Sequence, residues 1–241
     1  MFVFIKPALK KSKKKKKLRK IIWLAADLAV LALLLTLLLY KPAGYKPIDI
    51  IPTKKVSKYL TNVLYPQIYN GAQLGQPYNV TLTQQGANNI IAHSSWPKYS
   101  AGAVISKPQA QFLPHKILFR GTVTLKSIDF IVTIAIKTQF NKKGLLNLNI
   151  SQIKVGALNV TPLAKIIASK MYSKQTSNTE IDPDNWGIKL AASLLKDKPF
   201  EPVVEVKDVF AQGDVKVRIK NITVKKEKLI FHLEPLPEPN S

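Results

Sequence analysis

The stretch "KILFRGTVTLKSIDFIVTIAIKTQF", Lys116 to Phe140, decides the fold. Ile117, Phe119, Val123 and Leu125 fall on odd positions, then Ile128, Phe130, Val132, Ile134 and Ile136 on even ones. A period of two marks a strand with one apolar face, so the spacing predicts two strands that exchange faces near Ser127. Asn141-Lys142-Lys143-Gly144 supplies a hairpin turn, after which Leu146, Leu148 and Ile150 resume the alternation. A one-residue shift before Ile153 and Val155 predicts a bulge. The pattern returns near the end of the chain with Val215, Val217 and Ile219, then Ile222 and Val224, and, beyond a turn at Lys225 to Lys228, Leu229, Phe231 and Leu233. Strands joined by hairpins predict an antiparallel sheet, and the repeated shifts of face predict that it is strongly curved.

Helices flank and interrupt the strands. Val56, Tyr59, Leu60, Val63 and Leu64 recur at helical spacing and predict a short amphipathic helix ending before Pro66. Thr83 can cap a helix from Gln84 to Ala92 that places Ala87, Ile90 and Ile91 on one side. Thr161-Pro162 reads as a capping residue followed by proline at the first helical position, with Leu163, Ile166, Ile167 and Met171 as the apolar stripe. Trp186, Leu190, Leu194 and Leu195 mark a last helix that stops before Pro199. The fold class is therefore α+β: a strongly curved antiparallel sheet with a few packed helices.

An N-terminal transmembrane helix precedes that domain. "IIWLAADLAVLALLLTLLLY", Ile21 to Tyr40, has only Asp27 and Thr36 as polar breaks and the length of one span. Its nine leucines offset the cost of Asp27, which reads as a tolerated polar residue reaching the interface. Nine of the eleven residues from Lys10 to Lys20 are basic, which predicts a cytoplasmic N-terminus and an extracytoplasmic domain. The apolar core is long and lacks a small-residue cleavage site, so it reads as an uncleaved anchor in the cell membrane. The expected divisions are a basic cytoplasmic segment (1–20), the anchor (21–40), a Pro-rich extended stalk (41–53), the α+β domain (54–234) and a flexible tail (235–241).

The formal charge of +23 is what a phosphate binder shows. Residues 1–40 carry +9 of it beside the span, and no aromatic RNA motif, basic helix with heptads or zinc-finger spacing occurs, so the partner is read as a membrane and not as nucleic acid. From Ile51 to Thr179 fifteen Lys and Arg face the single acidic residue Asp129. Such a field favours an anionic partner, a phospholipid headgroup or an anionic wall polymer. Lys54, Lys55, Lys58, Lys116 and Arg120 are the candidate headgroup contacts.

Catalytic chemistry finds little to work with. The chain has no cysteine, which excludes disulfides, thiol nucleophiles and cysteinyl metal sites. Paired carboxylates are missing from the long basic stretch. Glu180-Ile181-Asp182-Pro183-Asp184-Asn185 has the oxygen spacing of a small calcium loop, but it lacks the distal glutamate and fixed glycine and fits a helix N-terminus better. His93, His115 and His232 are isolated, His93-Ser94-Ser95 has adjacency without triad geometry, and no Gly-rich phosphate loop occurs. The reading is no enzyme, no cofactor and no metal. Four Asn-x-Ser/Thr sequences, at Asn79, Asn149, Asn159 and Asn221, sit in predicted strands or a tight turn and read as incidental.

The segment "SQIKVGALNVTP", Ser151 to Pro162, resembles the (I/V)-G-x-L-x-(L/V)-P signature of the YpmS family, membrane-anchored extracytoplasmic proteins of Gram-positive bacteria. The order of elements is similar as well, from Val80 to Met171 and more loosely from Val203 to Leu233. Thr161 is an extra residue before the proline, and residues 172–202 have no counterpart. The resemblance implies a structural motif of Gly156, Leu158, Asn159 and Pro162, in which Gly156 permits a tight turn and Leu158 plugs the core. The family's biochemical role is largely unassigned, so the resemblance bears on architecture and location more than on activity. The outline is also similar to bacterial phospholipid-binding ectodomains whose curved sheet encloses acyl chains. The expected function is non-catalytic binding of a lipid or other anionic amphiphile of the envelope. The alternative is a scaffolding module that docks a partner protein, which an exposed sheet edge and the lack of a cavity would favour.

Overall fold

The computed structural model describes residues 10–50, 56–100, 102–177, 186–206 and 215–237. Helix α1 (Lys10–Leu38) contains a 23-residue stretch, Lys16–Leu38, long and apolar enough to cross a membrane. At 1.5 Å per residue it measures about 34 Å, against roughly 30 Å of hydrocarbon. The Thr36 hydroxyl donates to the Ala32 carbonyl at 2.8 Å, so this polar break is satisfied within the helix.

The chain is helical again from Lys58, passes through a π-helical turn (Leu60–Leu64) and continues as α2 (Tyr65–Gln73). The helix expected to end before Pro66 therefore runs on. Pro66 lies in the first turn of α2, directly after the wider π turn. Then come β1 (Tyr78–Thr83), α3 (Gln84–Ala92), β2 (Lys98–Ser100), β3 (Ala103–Leu113), β4 (Lys116–Leu125), β5 (Ile128–Phe140), β6 (Leu146–Val155), β7 (Leu158–Asn159), α4 (Thr161–Ser177), α5 (Trp186–Lys196), β8 (Val203–Val206), β9 (Val215–Lys225) and β10 (Lys228–Pro235). Thr83 caps α3 as its position predicts, its hydroxyl accepting the Gly86 amide at 3.0 Å.

The architecture is α+β and antiparallel, but the single strongly curved sheet expected from the sequence is two open sheets. One has the order β1-β10-β9-β8 and the other β2-β3-β4-β5-β6-β7. The shifts of face that suggested curvature have local causes. At Lys126 and Ser127 the backbone takes φ of 47° and 66°, the two left-handed residues of a tight hairpin turn. The register slips across Gln152/Ile150 and across Asn221/Ile219, leaving Ser151 and Lys220 as bulged residues. The late hairpin joins β1, with Val80 opposite Phe231, so it forms a separate sheet.

Two apolar clusters hold the layers together. Ala72, Val80, Val217, Ile219 and Leu233 lie between α2 and the four-stranded sheet. Ala87, Ala110, Phe112, Val224 and Leu229 join α3 to both sheets, and the half-buried Ile222 and Phe231 touch both clusters. Each fully buried Val, Leu, Ile or Phe among them contributes about 1.5–3 kcal/mol by leaving water.

Side chains close two sheet edges. Along β3, the Asn88 amide accepts from Ala110 N at 2.7 Å and donates to Ala110 O at 3.0 Å, while Gln84 Oε1 accepts from Phe112 N. Along β6, Ser193 Oγ accepts from Leu148 N at 2.8 Å, and Leu146 exchanges backbone bonds with Phe200. Both sets stand in for a neighbouring strand.

Candidate functional site

One face of the six-stranded sheet is apolar along its length. Register pairs put Ile117 beside Ile136, Phe119 beside Ile134, Val123 beside Phe130 and Leu125 beside Ile128, and β6 extends the rows with Ile153 and Val155. Directly paired residues share a face, so these side chains form one continuous surface. At one end it is buried, where Ala110 and Phe112 meet α3 and the other sheet. Elsewhere it opens to the outside, with Phe119 40%, Leu125 45% and Ile128 50% exposed.

The open end lies close to the end of α1. The Gly156 amide donates to Ile131 O at 2.8 Å, and Ile131 is three residues, about 10 Å, along β5 from Ile128. The adjacent Ala157 amide donates to Leu37 O at 2.8 Å, a shorter bond than the 3.4 Å one that this carbonyl accepts from Tyr40 N in the turn ending α1. Gly156 sits at φ +58°, and a Cβ there would collide with the carbonyl oxygens of both Leu37 and Leu38. Its lack of a side chain thus serves two ends, a left-handed turn and a close approach to α1.

The rest of that motif anchors α4. Asn159 Oδ1 accepts the Thr161 amide at 3.1 Å, so the capping side chain is Asn159 and not Thr161 as expected. The Thr161 hydroxyl instead accepts the Ile153 amide of β6 at 2.7 Å. Leu158 is half-buried in β7, and Pro162 is exposed in the first turn of α4. The apolar stripe of α4 faces outward: Leu163, Ile166 and Ile167 are 61%, 56% and 50% exposed, while Ala164, Lys165, Ala168 and Ser169 are the more buried positions.

Residues 44–46 cross the opposite, polar face of the same sheet. Tyr45 is buried, its hydroxyl donating to the Lys107 carbonyl at 2.5 Å and lying 3.0 Å from Thr122 Oγ1. Lys107 takes φ +50° in a β3 bulge that also accommodates Pro108, which turns its carbonyl out of the ladder. Burial raises the Tyr45 pKa, the Thr122 hydrogen bond opposes the rise, and Asp129 adds to it. Arg120 holds the same crossing, donating to Gly44 O at 2.9 Å and Gln111 Oε1 at 2.7 Å. Its pKa is lowered by burial, and its Nε is buried without a partner.

The candidate headgroup contacts are dispersed. Lys54 and Lys55 lie outside the described residues, as does the Glu180–Asn185 run. Lys58 is exposed at the rim of a polar groove with Asn62, Gln85 and Asn89, Lys116 is exposed at the start of β4, and Arg120 is engaged under the crossing strand. A separate cavity of about 180 Å³ lies against the four-stranded sheet, lined only by apolar residues that include Leu64, Ile68, Val204 and Phe231. Sequence reasoning placed no ligand there, because its walls come from segments distant in the chain.

The histidines serve locally: His93 Nδ1 is 2.8 Å from Asn89 O, and His232 Nε2 is 3.1 Å from Thr223 Oγ1. Glu201, Glu205 and Glu234 form exposed ion pairs with Arg218, Lys216 and Lys220. Among the described residues no three His, Asp or Glu gather as a metal site would require. Comparison of the chain with protein families, with curated proteins and with solved structures finds no match.

Proposed function

We propose that the chain is a single-span membrane protein whose extracytoplasmic α+β domain binds the apolar part of an envelope lipid or other anionic amphiphile without catalysis. The observation that carries this reading is the apolar face of the six-stranded sheet, exposed at Leu125 and Ile128 beside the end of α1 and continuous with the buried core. An acyl chain leaving the bilayer there meets mainly hydrocarbon along β4, β5 and β6. The 180 Å³ cavity suits a short apolar segment; dry cavities near this size, lined by Leu, Ile and Phe, accept ligands as small as benzene. The basic N-terminus supports an N-inside orientation, and the motif from Gly156 to Pro162 supports kinship with the YpmS family.

The scaffolding alternative finds less support. Asn88, Gln84 and Ser193 occupy backbone groups of β3 and β6 that a docking strand would use, and a half-open apolar pocket is present.

Native mass spectrometry of the detergent-extracted full chain, followed by organic extraction, tests the lipid reading. A stoichiometric lipid adduct that Val123→Asp abolishes is the expected result. A clean apo mass, unshifted by added phosphatidylglycerol, would sink it and favour a protein-docking module.

A further inference from the structure

We infer that α4 is an interfacial helix, lying in the headgroup region of the bilayer that α1 spans with Leu163, Ile166 and Ile167 turned into the lipid. This rests on the reading of α1 as a membrane span and adds a second, monotopic contact to it.

Three independent observations point to lipid as what covers this face. The first is inverted packing. A helix on a water-soluble domain turns its large apolar residues inward, yet α4 sets Ala164 and Ala168 toward the domain and leaves three branched aliphatic side chains at least half exposed. In water that arrangement forgoes the burial of its most apolar residues.

The second is position. The Ala157 amide is bonded to Leu37 O in the last turn of α1, and α4 begins four residues later at Thr161. Four residues reach at most about 14 Å, so the start of α4 stays within that distance of the point where α1 ends. If α1 crosses the hydrocarbon, this is headgroup depth.

The third is charge. Residues 161–177 include Lys165, Lys170 and Lys174 and no acidic residue. Lys170 is exposed three, four and seven residues beyond Ile167, Ile166 and Leu163, on the same face one turn further along, so the first two turns of α4 meet the acyl boundary while this lysine reaches an anionic headgroup.

The chain has no native cysteine, so a single fluorophore can be placed without background labelling. The whole 241-residue chain would be reconstituted in vesicles of phosphatidylcholine and phosphatidylglycerol carrying a shallow doxyl-lipid quencher. Labels would sit on Ile166→Cys, on Leu24→Cys within α1, and on Lys143→Cys in the exposed β5–β6 turn. The expected result is lipid quenching at Ile166→Cys about threefold or more above that at Lys143→Cys, weakening when phosphatidylglycerol is omitted. Equal quenching at Ile166→Cys and Lys143→Cys, with Leu24→Cys strongly quenched, would overturn the inference and leave the anchor standing. A label at Ile166→Cys shielded from aqueous iodide but untouched by doxyl lipid would mean a protein partner, and would also overturn it. An unquenched Leu24→Cys would overturn the anchor and this inference together.

Discussion

The hydroxyl of Tyr45 donates to the carbonyl of Lys107 at 2.5 Å, joining a segment that reads as an extended stalk to a bulge in the middle of a strand. Tyr45→Phe leaves that carbonyl and Thr122 without this partner in a buried setting, at a cost of about 1–2 kcal/mol. The expected outcome is faster chymotryptic cleavage after Tyr40 and after residue 45 with the sheet intact, monitored by limited proteolysis of the full chain in detergent.

Gly156→Ala should detach the end of α1 from the domain. The new methyl would collide with two carbonyl oxygens at φ +58°, so the turn must shift, costing about 1–3 kcal/mol locally. Hydrogen exchange of the Ala157 amide should accelerate by about one to two orders of magnitude. An unchanged rate would show that the Leu37 bond does not depend on this approach.

Asn88→Ala removes both partners of the Ala110 backbone, a loss of about 1–3 kcal/mol read as a lower midpoint in chemical denaturation. It also reopens the β3 edge. Concentration-dependent self-association should therefore rise in parallel, measurable by analytical ultracentrifugation.

The phenol of Tyr78 is pushed from 10.0 up to about 12 by burial against α2, where it donates to Ile68 O at 2.7 Å. A pKa raised by folding means that the native state retains the proton and the unfolded chain releases it first. Its contribution to stability is therefore whole below pH 10.0 and is lost as the pH climbs toward 12. Alkaline unfolding of Tyr78→Phe should lack this component, and absorbance titration of the folded protein should lose its latest-ionising tyrosine.

Strands β4, β5, β6, β9 and β10, their turns and the bulge before Ile153 were legible because alternation and turn residues are local signals, whereas β3 was not, its alternation broken by the bulge at Lys107-Pro108. The division into two sheets was not, since it depends on pairs such as Tyr78 with Leu233 from opposite ends of the domain. The spacing of Leu163, Ile166 and Ile167 showed that α4 has an apolar stripe, but periodicity cannot tell which way a stripe points. The crossing at Tyr45 was hidden by its proline-rich setting. A trace of it lay in Lys107-Pro108, since a proline inside a strand pattern marks a bulge whose freed carbonyl needs a donor.

The two attachments, Leu37 to Ala157 and Tyr45 to Lys107, lie on either side of the passage that leaves α1. A chain held at one point can swivel; held at two, it becomes a lever arm. With α1 in a bilayer, the domain would keep a fixed height and heading over the lipid, and the mouth of the apolar sheet would meet a constant local concentration of acyl chains instead of one diluted by the sweep of a loose tether. Torque on the domain would reach α1 through the same two bonds.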